Sequence, residues 1–182
     1  TATGTELVAD IITGLRVSSN LRFLTASGRN VFFSASDGLH GFELWFSDGT
    51  AIGTRMVADL ATNQNWNFSS SPNNLLAVNG IVYFFAEDSE SKTHFYRSDA
   101  TVAGTFMLTS EQMSSPNTQY GNVIARDNTV YFHTKYQDYP DKLWTSRGTV
   151  SGTQLLAEPW PEGRYGDSPY HSWGLCATAR RV

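Results

Sequence analysis

Cysteine is almost absent from this 182-residue chain, and the single Cys176 permits no internal disulfide and no cysteine-rich zinc site. Charge is scarce as well, at 16% of residues, and 13 Lys and Arg are outnumbered by 17 Asp and Glu. A net charge of −4 argues against a nucleic-acid partner, whose phosphates need a basic face. No apolar run approaches the ~20 residues that cross a bilayer as a helix, so no membrane span is expected. No segment shows a helical apolar stripe, and no nucleophile elbow, phosphate-cradling glycine loop or metalloprotease helix is present. What is plentiful is aromatic residues, at 13%, and glycine, at 15 residues, the composition of a globular all-β chain.

A unit of about 49 residues is written three times. Ser47-Asp48-Gly49-Thr50-Ala51-Ile52-Gly53-Thr54 returns as Ser98-Asp99-Ala100-Thr101-Val102-Ala103-Gly104-Thr105, then as Ser146-Arg147-Gly148-Thr149-Val150-Ser151-Gly152-Thr153. Thr1-Ala2-Thr3-Gly4-Thr5 matches the tail of a further copy, so Gly-Thr pairs begin at 4, 53, 104 and 152. An aromatic strand precedes each full copy (Glu43-Leu44-Trp45, His94-Phe95-Tyr96, Lys142-Leu143-Trp144), and an apolar strand follows it. Alternation and turn signals divide each unit into four strands, A to D. In the first unit they fall over Leu21 to Ala26, Val31 to Ala35, Phe42 to Ser47 and Arg55 to Leu60. In the second, Asn79-Gly80 between apolar runs marks an A–B hairpin, because both central residues of that turn need positive φ. The spacing predicts an all-β chain: a β-propeller of four-stranded antiparallel blades over 20–60, 74–109 and 120–157. Partial strands flank them, with an orphan outer strand over 1–11 and a partial or degenerate blade over 158–182.

The Glu43-Leu44-Trp45-x-Ser47-Asp48-Gly49-Thr50-x-x-Gly53-Thr54 run resembles the signature of bacterial proteins built from ELWxxDGT repeats. The resemblance covers about residues 1 to 157 and implies a secreted or cell-surface propeller-like protein without an assigned activity. The Ser-Asp-Gly-Thr core is also similar to the Asp-box hairpin of sialidase-type propellers, which is structural there. Residue chemistry agrees: Asp can hold its own turn, Gly takes a positive φ, and Thr caps the next strand. Departures fall at Arg147, Ala100, His94 and Lys142. The motif is expected to carry fold and no chemistry.

Three blades are fewer than the roughly 4 to 8 that close a ring, and open sheet edges invite pairing with another chain. A homodimer completing one ring by two-fold symmetry is therefore expected. The orphan strand would then join a blade begun by the partner.

In an antiparallel blade the B–C and D–A connections lie at one end, and all four histidines fall there. His40 sits in one B–C loop, His94 ends another, His133 ends the third B strand, and His171 lies beside the last A strand. With carboxylates such as Asp37, Glu43 and Asp88 around them, they suit a divalent ion such as zinc, a source of hydroxide for ester or phosphoester hydrolysis. His133 and His171 are the stronger candidates because they break the repeat, standing where Ser34 and Phe85, and Asn73-Asn74, stand elsewhere. Trp66, Trp160, Tyr165 and Tyr170 lie in D–A connections at the same end and could stack on carbohydrate rings. Trp45, Tyr96 and Trp144 recur at one position and fit the inter-blade core. Two functions stay open: a binding module for glycan or protein, and a metal-dependent hydrolase at the channel mouth.

Overall fold

The computed structural model describes residues 4–12, 18–62, 69–113, 123–134 and 142–157. Within them the chain is all-β, with three four-stranded antiparallel sheets, each a simple meander. Unit 1 holds β1 (Arg22–Ser27), β2 (Asn30–Ser36), β3 (Phe42–Ser47) and β4 (Arg55–Ala58). Unit 2 holds β5 (Asn73–Val78), β6 (Ile81–Glu87), β7 (Thr93–Ser98) and β8 (Phe106–Met113). Unit 3 holds β9 (Val123–Arg126), β10 (Thr129–Thr134), β11 (Lys142–Ser146) and β12 (Thr153–Ala157).

Bounds differ from expectation in two places with a visible cause. β4 stops at Ala58 rather than Leu60, because the Leu60 amide is taken by the Glu43 carboxylate. The outer strand expected over Leu7 to Ile11 forms no ladder with a described strand. Leu7 stays 81% exposed, while Ile11 and Ile12 turn inward. Ile11 packs on Phe33, Ala35 and Trp45 of unit 1. Leu60, its repeat equivalent, packs in the same way on the core between units 1 and 2.

Period-two alternation explains how the sheets stack. Val82, Phe84, Ala86 and Tyr96 of unit 2 meet Phe32, Leu44 and Val57 of unit 1. Tyr83, Phe85, Phe95 and Leu108 point the other way, into Val130 and Phe132 of unit 3. Phe95 and Phe132 stack at 3.8 Å between centroids, and each such buried ring is worth about 1.5–3 kcal/mol. The first strands of the units lie in one row, β1 beside β5 and β5 beside β9. Asn79 and Asn128, in neighbouring A–B turns, join along that row at 2.7 Å.

The C–D turns carry the repeated motif, and their hydrogen bonds repeat with it. In unit 1 the Asp48 carboxylate accepts from the Thr50 amide at 2.9 Å and the Thr50 hydroxyl at 2.7 Å. Thr50 Oγ1 accepts from the Gly53 amide at 2.9 Å, and the Thr54 hydroxyl donates to the Thr50 carbonyl at 2.7 Å. Unit 2 reproduces the set through Asp99, Thr101, Gly104 and Thr105. In unit 3 Arg147 supplies no carboxylate, yet the Thr149 bonds to Gly152 and Thr153 persist. The serine, the threonines and the glycine are thus the invariant part of the turn. Gly53 is required by a close approach, since a Cβ there would overlap the Asp48 carboxylate.

The C–D turns of units 2 and 3 are also gripped by the preceding unit. Arg55 lies 5.3 Å over the Phe46 ring and donates from Nη2 to the Ala100 carbonyl at 2.6 Å. Arg97 lies 5.2 Å over Phe106 and donates from Nη1 to the Gly148 carbonyl at 3.1 Å. Phe46 pairs with Arg55 across β3 and β4, and Arg97 pairs with Phe106 across β7 and β8. Arginine and phenylalanine have therefore exchanged strands between the two units while making the same latch. The turn residue depends on its neighbour too: a Cβ on Gly148 would stand 2.6 Å from the Tyr83 hydroxyl. Ala100 takes the glycine's place, at φ 70, where the unit before it presents Phe32 at the Tyr83 position, a ring without that hydroxyl.

Candidate functional site

The end of the sheets that holds the B–C loops is the candidate site, and one repeat position dominates it. Glu43, His94 and Lys142 stand opposite Ala35, Ala86 and Thr134 in the same register. Glu43 is fully buried. Its carboxylate accepts from the Ser70 amide at 2.8 Å, the Leu60 amide at 3.2 Å and the Ser70 hydroxyl. It thereby ties both ends of the connection between units 1 and 2. Burial pushes its carboxyl up to about 7 despite these three donors, and the charge of Asp59 adds to the effect. The serines complete the seam: Ser69 Oγ accepts from the Phe42 amide at 2.8 Å, and the Ser70 carbonyl accepts from the Glu87 amide at 2.7 Å.

His94 is buried, with Nδ1 3.1 Å from the Glu111 carbonyl and Nε2 3.3 Å from Asp88 Oδ2. Partial burial raises the Asp88 carboxyl, but amide hydrogen bonds from Lys92 and Glu90, with His94 beside it, bring it below the ordinary carboxylate range. Lys142 Nζ meets Glu111 Oε1 at 2.6 Å. One position thus carries a carboxylate facing amides, an imidazole facing a carbonyl, and an ammonium facing a carboxylate.

His40 is exposed and bonds through Nδ1 to Asp37 Oδ2 at 2.7 Å, which raises its imidazole above the usual value. Asp37 also accepts the Leu39 and His40 amides, at 2.8 and 2.9 Å. His133 lies on β10 opposite Leu143, half-buried. His40 and His94 each belong to a pair within their own unit. Among the described residues no group of three or more His, Cys, Asp or Glu stands close enough to hold a metal. His171, Trp66, Trp160, Tyr165 and Tyr170 lie outside the described residues.

A different aromatic is presented at this end. Phe23, near the start of β1, is 47% exposed and holds φ 56 at a bulge in the β1–β2 pairing. Leu21 and Leu24 beside it are exposed as well. The equivalent bulge in unit 2 places Asn74 at φ 52. Asparagine tolerates that region, whereas for a bulky residue it is a strained outlier. A signal for Phe23 existed in the repeat, where the aligned positions read Asn74 and Asn122.

No protein-family model matches the chain, and no curated protein matches it. Among solved structures it is similar to one described under a structural and mechanistic analysis of two prolyl endopeptidases, at 10% identity and a TM-score of 0.47, over 78% of this chain and 20% of that one. It is also similar to an α-L-arabinofuranosidase from Clostridium thermocellum, at 12% identity and a TM-score of 0.29, over 76% of this chain and 51% of that one. The chain therefore spans a fifth and about half of these two proteins.

Proposed function

We propose that the three units are successive blades of a secreted or cell-surface β-propeller that binds glycan at its B–C end. Face-to-face stacking of the sheets and the single row of first strands support the blade arrangement. We take closure of the ring by a second copy of the chain as part of the same proposal.

One observation carries the binding reading: Phe23 is kept exposed at positive φ, at a cost of about 1–2 kcal/mol, where the repeat offers asparagine. Strain retained at an exposed aromatic points to a use for the ring, and sugar rings stack on such a face. The ionisable groups of this end support binding over catalysis, because Glu43, His40, His94 and Lys142 are engaged in bonds within the scaffold.

Calorimetric titration with a panel of soluble oligosaccharides tests the proposal. Wild type is expected to bind at least one class, and Phe23→Asn to lose that binding while its melting temperature rises. Equal binding by both proteins overturns the assignment of Phe23, and no binding by either overturns the glycan reading. Bound metal with chelator-sensitive ester hydrolysis would replace it with the metal-dependent hydrolase.

A further inference from the structure

Among the described residues three arginines lie over phenylalanine rings: Arg22 at 4.4 Å from the Phe42 centroid, Arg55 over Phe46 and Arg97 over Phe106. Arg55 and Arg97 direct the guanidinium to a carbonyl of the next unit. Arg22 does not. It is exposed, and no hydrogen bond or ion pair joins it to a described residue.

Its seat is nevertheless well built. Cross-strand pairing puts Arg22, Ser34 and Leu44 on one face of unit 1, the face that packs on unit 2. Arg22 therefore stands at the seam between units 1 and 2, inside the chain and at the B–C end. The Phe42 main chain is fixed there by two bonds. Its amide donates to Ser69 Oγ at 2.8 Å, and its carbonyl accepts from the Ser71 amide at 3.0 Å. The ring holds the guanidinium plane, and the N–H donors at the edge of that plane stay open to solvent. The exposed Phe23 follows directly in sequence, in the bulge between Arg22 and Thr25. Unit 2 has none of these groups: Asn73 and Asn74 stand in place of Arg22 and Phe23, and Thr93 in place of Phe42. Asn73 is buried and donates to the Ser71 carbonyl. Three departures from the repeat thus fall together, a cation held on one ring and a second ring left exposed next to it.

We infer that the glycan is acidic: Arg22 receives the carboxylate of a uronic acid unit in its planar fork, and Phe23 takes the face of a sugar ring in the same oligomer. This rests on the glycan reading of Phe23 and names the class of sugar. One guanidinium matches one singly charged carboxylate in shape and charge. The net charge of −4 repels anions at long range, so a preference for the acidic sugar must arise from contact.

Calorimetric titration with oligomers of galacturonate, glucuronate and mannuronate, each beside its carboxyl-reduced neutral counterpart, tests it, with a thermal melt of each variant as the folding control. Wild type is expected to bind at least one acidic oligomer about tenfold more tightly than its neutral counterpart. Arg22→Gln is expected to abolish that preference and leave equal, weaker binding, and Arg22→Lys to keep part of it. Phe23→Asn is expected to weaken binding of both members of the pair. Wild type that binds the neutral oligomers as tightly or more tightly overturns the acidic class and leaves the glycan reading standing. So does a preference that survives Arg22→Gln in a protein that melts normally. A preference lost with Arg22→Gln beside binding untouched by Phe23→Asn supports the carboxylate seat and overturns Phe23 as its companion. No binding of either kind overturns this inference and the glycan reading together.

Discussion

At one end of the sheets the same hydrogen bonds are written three times, while at the other a single repeat position holds a carboxylate, an imidazole and an ammonium. The contrast follows from what each end must meet. A C–D turn faces its own backbone and the arginine latch or ring of a neighbouring unit, so most changes break something fixed. The side chain at the Glu43 position faces a local connection, which can change with it. Scaffold is conserved where partners are main chain, and chemistry varies where partners are side chains or linkers.

The sharpest test of the variable end is Glu43. Glu43→Leu leaves two amides and a hydroxyl without their acceptor, and a loss of about 3 kcal/mol is expected from denaturant midpoints at unchanged slope. The same residue sets a pH dependence. Its carboxyl titrates near 4.5 in the unfolded chain and about 7 in the folded one, so between these values the folded state holds more protons. Its contribution to stability is full below about 4.5 and is lost as the pH rises through about 7. Glu43→Gln is expected to remove that step and, because the Glu43 charge helps to raise His40, to lower the His40 titration slightly as well.

The turn end is probed by Gly53→Ala, with an expected loss of about 1–3 kcal/mol from overpacking. Adding Asp48→Ala should recover part of that loss, because the overlapping carboxylate is gone. Gly152→Ala should cost less than Gly53→Ala, since Arg147 leaves no carboxylate in unit 3. Equal losses at the two glycines would show that the backbone, and not the aspartate, imposes glycine there.

Smaller effects compare the two tryptophans. Trp144 Nε1 donates to Thr134 Oγ1 at 3.0 Å, whereas the buried Trp45 Nε1, in the same core cluster as Ala35 (the Thr134 position), has no acceptor among the described residues. Thr134→Ala is expected to cost about 1 kcal/mol. Ala35→Ser, which offers Trp45 an acceptor, is expected to gain about 0.5 kcal/mol. Both are read from thermal midpoints.

Most of the fold was legible because its determinants are local. Alternation located all twelve strands, and the turn chemistry of Asp48, Thr50 and Gly53 acts within a few residues. Determinants that span units were not legible. Ala100 reads as a departure from the repeat until Phe32 is found opposite it, and Glu43 reads as a loop carboxylate until Leu60 and Ser70 close on it. The clustering of histidines at one end is visible from strand order alone. Their pairing is not, because His40 and His94 turn to Asp37 and Asp88 of their own loops rather than to each other.

The exchanged arginine and phenylalanine have a consequence for how such repeats are recognised. Compared column by column, units 1 and 2 disagree at both positions, and each disagreement lowers their apparent kinship. Compared as a pair, the two units are identical, because the ladder makes the positions interchangeable. Repeats of this kind therefore diverge faster in letters than in interactions. A search that scores covarying pairs would find copies that a single-column profile discards.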